Sequence, residues 1–185
     1  MTEDALRNTQ YTQRPTPLET TFPPRSIVAP PVILPAGWRD LFGVLQLEKA
    51  CFGRDAWPVM DVFAALTWPG VLRLKVDAAG LLAGFIAADL REGGELAWIT
   101  TLGVHPEFRR RGWGEQLLRE CEGGLRAKRV RLSVRAGNLP AQQLYLKRGY
   151  QQVQVWRKYY SGEEDGVVME KQLLSRATPY TGSGR

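Results

Sequence analysis

The sequence predicts an α/β sandwich built as a single domain, and three observations lead there. Short apolar stretches of strand length recur along the chain. Two of them flank the small-residue turn Asp77-Ala78-Ala79-Gly80, as in a hairpin, and two later ones run directly into amphipathic segments. A length of 185 residues with 44% hydrophobic content suffices for one core plus tails.

Residues 1–30 are rich in Thr, Pro and Gln, and Pro15, Pro17, Pro23, Pro24, Pro30 and Pro31 interrupt any regular hydrogen-bond ladder. They are expected to form an extended or disordered leader, followed by a domain over residues 31–174 and a polar, flexible tail over residues 175–185. Within the domain, residues 38–50 place Leu41, Val44, Leu45 and Leu47 near helical spacing, and residues 60–67 give a second, shorter helix. Residues 51–58 between them are expected to be a loop. Residues 71–76, 81–90 and 95–104 follow as a strand meander. Residues 112–127 repeat at Leu117, Leu118, Cys121 and Leu125, one face of a helix. A short strand over residues 130–134 precedes a helix over residues 138–147, which has Asn138 as a cap and Gly149 beyond its end. Strands over residues 150–156 and 166–173 complete the domain.

The most informative run is Ile99-Thr-Thr-Leu102-Gly103-Val104-His-Pro106-Glu-Phe-Arg109-Arg110-Arg111-Gly112-Trp113-Gly114, a strand leading through a proline-marked turn into a helix. A helix start offers amide hydrogens without intrahelical partners, and glycines let the backbone close around a pyrophosphate. Three arginines add positive potential there. His105 is expected to be a turn residue. The block Leu132-Ser133-Val-Arg135-Ala-Gly-Asn138 through Tyr145 and Tyr150 repeats the strand-to-helix order, with Asn138 an N-cap and Tyr145 a half-buried aromatic.

Arg109-x-x-Gly112-x-Gly114 after Leu102-Gly103-Val104-x-Pro106 resembles the acetyl-CoA motif of the GNAT superfamily of N-acetyltransferases. The resemblance implies a mixed, mostly antiparallel central sheet flanked by helices, with acetyl-CoA as acetyl donor. It implies that amides of Arg109, Arg110, Arg111, Gly112, Trp113 and Gly114 hold the pyrophosphate. Backbone groups around Leu102, Gly103 and Val104 would pair with the pantetheine arm, Asn138 would contact that arm, and Tyr145 would lie near the thioester sulfur. A phenol there can donate a proton to the leaving thiolate.

The continuation Trp156-Arg-Lys-Tyr159-Tyr160-Ser-Gly-Glu163-Glu164-Asp165-Gly-Val-Val-Met169, together with Cys51-Phe52-x-x-x-x-Trp57, is similar to the ribosomal-protein-alanine N-acetyltransferase branch. That branch implies two loops walling the acceptor side, with Trp57, Tyr159 and Tyr160 as substrate-binding residues. It implies a protein or peptide N-terminus as acceptor, a ribosomal protein among the candidates. Glu163, Glu164 and Asp165 form either a solvated hairpin loop or an attractor for a basic peptide end. Five residues before Asn138 the branch commonly carries a Glu that serves as general base; here the position is Ser133. A Ser hydroxyl can at most orient a water that carries the proton outward, and Glu95 is a replacement carboxylate if the fold brings it near.

Twenty-five basic against nineteen acidic residues give a net charge of +6, suited to anionic ligands. Two cysteines, Cys51 and Cys121, and one His without metal-ligand spacing suggest neither a disulfide framework nor a metal site. The start of the chain lacks an export signal, and no apolar run has the roughly 18 residues of a membrane span. A soluble cytoplasmic protein, monomeric or homodimeric, is expected. Transfer to a lysine or small amine, a non-catalytic acyl-CoA-binding module and, last in order, nucleic-acid binding through the arginine clusters remain open as alternatives.

Overall fold

A computed structural model describes residues 31–173 except residue 79; the expected leader and tail lie outside the described residues. Seven strands form one sheet in the order β1-β2-β3-β4-β5-β7-β6. They are β1 (Ile33–Pro35), β2 (Val71–Ala78), β3 (Leu81–Arg91), β4 (Leu96–Val104), β5 (Arg129–Arg135), β6 (Gln151–Tyr160) and β7 (Glu164–Gln172). Every neighbouring pair is antiparallel except β4 and β5. The helices are α1 (Leu41–Phe52), α2 (Val59–Thr67), α3 (Trp113–Gly124) and α4 (Leu139–Lys147).

Strand alternation assigns the two faces. In β5, Val130, Leu132 and Val134 are buried in the core that also holds Leu117, Leu118, Cys121 and Tyr145 from α3 and α4. Its other residues, Arg131, Ser133 and Arg135, therefore point to the opposite face. On that second face α1 and α2 contribute Val44, Leu47, Val62 and Leu66, packed with Phe85 and Ala87 of β3. Gly103 permits this packing, because a Cβ there would stand 3.3 Å from Cys51 Sγ and 3.5 Å from the Phe52 ring.

The expected elements are present with shifted ends. Trp38–Asp40 is a 3₁₀ turn leading into α1 rather than its first turn, and α1 continues through Cys51 and Phe52, which shortens the expected loop. The α3 helix stops at Gly124, so Leu125 packs from the following extended segment. The β6 strand runs on to Tyr160, and Glu164 and Asp165 belong to β7 rather than to a loop. On the first face Glu122, with a side chain 7% exposed, pairs with Arg148 at 3.2 Å and Lys171 at 2.7 Å, tying α3 to the α4 exit and β7.

Leu117 is fully buried at the centre of α3, with a methyl 2.9 Å from where a Gly84 Cβ would lie on β3. Leu117→Ala is expected to destabilise the fold by about 2–5 kcal/mol, measured by urea unfolding; a change below about 1 kcal/mol would contradict this packing.

Candidate active site

The site is organised by a parting of strands. Residues 96–99 of β4 pair with residues 129–132 of β5, and the ladder stops there. Beyond it β4 stays with β3 as far as Val104, while β5 stays with β7 as far as Arg135. The parting coincides with one extra residue in β4. Ala87 faces Thr101 and Ala88 faces Ile99, leaving Thr100 as a bulge, with its hydroxyl on the Ala87 carbonyl at 3.1 Å. A bulge of this kind bends its strand and increases local twist, here away from β5.

At the open end β4 leads through the 3₁₀ turn Pro106–Phe108 into α3. Arg110 (φ 60°) and Gly112 (φ 80°) are both left-handed, a geometry that gathers successive amides on one side of the turn. No side chain caps α3, so its first-turn amides remain available to an anion. Trp113 is buried and stacks on Phe108 with centroids 5.2 Å apart, fixing the turn to the core. The arginine side chains are less free than their amides. Arg109 Nε donates to the Val104 carbonyl at 3.0 Å, and Arg111 donates to the Glu107 carbonyl at 3.3 Å while lying over Phe108. The Val104 carbonyl also accepts the Cys51 thiol at 3.3 Å, so it is already engaged where an incoming strand-like ligand would need it.

Within the wedge lies a cavity of about 190 Å³ whose lining includes Leu102, Ser133, Asn138, Tyr145, Trp57, Tyr159 and Tyr160. The fold thus collects seven of the expected site residues around one space, while Gly103, Val104 and residues 109–114 lie outside that lining. Asn138 caps α4, its Oδ1 accepting the Ala141 amide at 3.3 Å, and Tyr145 follows two helical turns later. Burial pushes the Tyr145 phenol well above its ordinary range, so it remains a proton donor at neutral pH. Ser133 Oγ and Tyr160 Oη lie 3.1 Å apart as a hydrogen-bonded pair, and burial raises the Tyr160 phenol too.

Sequence reasoning missed Glu48. It lies in α1 on the stripe Val44, Leu47, Glu48 and Cys51, and is 3% exposed. Its Oε1 accepts the Thr101 hydroxyl at 2.7 Å, its Oε2 accepts the Trp57 amide at 3.4 Å, and it lines the cavity. Burial raises its pKa, with the Thr101 and Trp57 bonds opposing. A charged residue on an apolar helical stripe was the available signal. Glu95, the carboxylate considered from sequence, is not in the site. It immediately precedes β4, its side chain 53% exposed and 2.8 Å from Lys128, at the end where β4 and β5 are still paired.

The acceptor-side walls are joined by Arg135. Its guanidinium bonds to Asp55 from the α1–α2 connection and to Glu164 of β7, and lies 4.9 Å over the Tyr160 ring. Asp55 Oδ1 also accepts the Ser161 amide at 3.1 Å, pinning the α1–α2 connection to the β6–β7 turn. Glu164 accepts the Gly137 amide as well, and this bond, with Arg135, holds its carboxyl below the usual range. Asp165 is held low by the Lys158 amide and Arg157. Glu163 pairs with Lys158 at 3.2 Å. The acidic trio is thus engaged in holding the hairpin. Beside it, Trp98 and Trp156 reach across β5 and β7 to stack at 5.6 Å, and Trp156, Tyr159 and Tyr160 continue the aromatic wall.

A parted β4–β5 pair ending in a turn with uncapped amides agrees with the sequence comparison, in which residues 41–150 match the acetyltransferase (GNAT) family. The chain belongs to the GNAT family. A putative ribosomal protein bS18-alanine N-acetyltransferase of Bacillus subtilis is 38% identical over 135 residues, 70% of this chain and 87% of the relative. The catalytic subunit NAA20 of the Arabidopsis thaliana N-terminal acetyltransferase B complex is 34% identical over 113 residues. That alignment covers 57% of this chain and 64% of NAA20's own length. Among solved structures, the Escherichia coli ribosomal-protein-S18-alanine N-acetyltransferase superposes with a TM-score of 0.68 at 25% identity, covering 80% of this chain and 98% of that one. GNAT membership thus accounts for the mixed sheet.

Burial places the folded-state pKa of Glu48 above its unfolded value of 4.5, so between the two the unfolded chain binds fewer protons. Stability therefore falls as pH rises from the unfolded pKa through the folded one. Urea unfolding at about pH 5 and pH 8 should show a larger loss for the parent chain than for Glu48→Gln. Equal losses would contradict a buried carboxylate that ionises at a cost.

Proposed function

We propose that this GNAT domain transfers the acetyl group of acetyl-CoA to the N-terminal α-amine of a protein, by direct attack and without a covalent enzyme intermediate. The observation that carries the proposal is the single cavity in which Tyr145, Ser133, Tyr160 and Glu48 meet beside the unpaired edge of β4. Amides of residues 109–114 at the turn into α3 suit a diphosphate. The free edge at residues 100–103, short of the engaged Val104 carbonyl, suits an extended arm carrying an acyl group into the cavity, with Leu102 in its wall. The relatives named for N-terminal acetylation support the acceptor class, and the two named for ribosomal protein bS18 favour a ribosomal protein as acceptor.

Acetyl-CoA supplies a thioester already activated toward amines. An α-amino group titrates near pH 8, so part of it is neutral and nucleophilic under physiological conditions. Tyr145 stays protonated and donates to the sulfur as the carbon–sulfur bond breaks. As the amine bonds to the acyl carbon it must lose a proton. The hydroxyl of Thr101 takes that proton while passing its own to Glu48 Oε1, to which it is already hydrogen-bonded. Burial favours the protonated carboxyl, which makes Glu48 a better acceptor than an exposed Glu. Glu48 therefore supplies the carboxylate absent at Ser133, and Ser133 is left to hold Tyr160 in the acceptor wall. The non-catalytic alternative, motivated by the missing Glu, loses its main support.

The test is mass spectrometry of acetyl-CoA reactions with free-N-terminus peptides, N-terminally blocked peptides containing lysine, and small amines. Acetylation of α-amines alone is expected; modification confined to lysine or small amines would overturn the acceptor assignment. Tyr145→Phe is expected to bind acetyl-CoA normally and lose about 10²–10⁴-fold in kcat. Turnover at the parent rate would remove Tyr145 from the mechanism.

A further inference from the structure

A second cavity, of about 530 Å³, adjoins the first on the face covered by α1 and α2. Trp57 and Thr100 line both, so one begins where the other ends. Its other walls come from one side of α2 (Asp61, Ala64 and Ala65) and the residues after it, including the exposed Trp68, from the start of β2 and from the end of β3.

Its charged lining residues are Asp61 and Asp89, both acidic, in a chain whose net charge is +6. Asp89 is incompletely satisfied. Its Oδ2 receives Arg91 at 3.0 Å, whereas its Oδ1 is shielded from solvent without a hydrogen-bond partner. Of the nearby cations, Arg91 is paired with Asp89 itself and Arg73 is committed elsewhere. Arg73 directs its Nη1 at the carbonyls of Ala65, Trp68 and Val71, and Arg91 lies 5.4 Å from the Trp98 ring centroid.

The route of an acceptor chain follows from the first cavity. A donor arm laid along the free edge of β4 enters from the Val104 end. The direct way out between the α1–α2 connection and the β6–β7 turn is pinned by Asp55 with Arg135 and Ser161. The second cavity shares Trp57 and Thr100 with the first and so offers room for the chain behind the reacting amine.

We propose that the second cavity is a subsite for a Lys or Arg side chain, carried within roughly three residues of the acetylated N-terminus of the acceptor. This rests on the acceptor being a peptide. The cation pairs with Asp61 and with the Asp89 carboxylate, and lies against the Trp57 and Trp68 rings, whose faces attract cations. Charge complementarity selects this occupant over an acidic or apolar side chain.

The test is steady-state acetylation of three peptides that share a first residue and carry Arg, Ala or Glu at positions two to four. The Arg peptide is expected to exceed the Ala peptide in kcat/KM by roughly tenfold, mainly through KM, and the Glu peptide to fall below both. In the Asp61→Asn, Asp89→Asn double variant the Arg peptide should drop to the level of the Ala peptide, whose own rate is unchanged; the latter also shows that the variant is folded. Equal use of Arg and Ala peptides by the parent chain, or an undiminished Arg preference in the double variant, would overturn the subsite while leaving N-terminal acetylation intact. Acetylation of none of the three overturns the acceptor reading and the subsite with it.

Discussion

Everything in the site depends on the early end of the β4–β5 ladder. A parallel pair that continued to Val104 would satisfy the edge of β4 with β5 and close the space where Tyr145, Ser133 and Glu48 meet. Thr100 prevents this by adding one residue to β4 against β3, just past the last paired residue, Ile99. The freed edge exposes backbone polar groups, which are costly to leave unpaired away from water. An extended ligand that supplies their partners is thus favoured by the same physics that builds sheets.

The two sides of the wedge are stabilised differently. Behind it, the α3/α4 face is a continuous apolar core in which Leu117, Leu118, Cys121, Leu132 and Tyr145 interlock. In front, α1 and α2 cover only part of the sheet, and the rest is held by polar bonds: Glu48 to Thr101 and Trp57, Asp55 to Arg135 and Ser161, Glu164 to Gly137 and Arg135. The rigid side carries Tyr145, the proposed proton donor, and the polar side carries the proposed acceptor walls. Glu48 sits at the junction, and its burial without a paired cation disfavours the charged form that the proposed proton transfer uses.

Much of this was legible in the chain. The turn at Arg109, Gly112 and Gly114 and the Asn138 cap follow from local spacing, because helix starts are local properties, whereas the place of Tyr145 in the site was implied by the resemblance to the GNAT motif. The bulge at Thr100 was not legible: Ile99-Thr100-Thr101 carries no Gly or Pro to mark it, and its cause is a register between two strands. The Asp55–Arg135 link joins residues 80 apart and depends on tertiary placement. Glu48 could have been found, since the helical spacing of Leu41, Val44 and Leu47 was in view and a carboxylate beside them demands buried partners. Glu95 misled because a strand was identified without knowing which of its ends opens.

Hydrogen exchange of the backbone amides with and without acetyl-CoA tests the wedge most directly. Protection should appear at residues 110–115 and at the free edge around Leu102, with the paired residues 96–99 already slow and unchanged. Saturating acetyl-CoA that leaves residues 102 and 110–115 exchanging as before would contradict the assignment of this edge and turn to the donor.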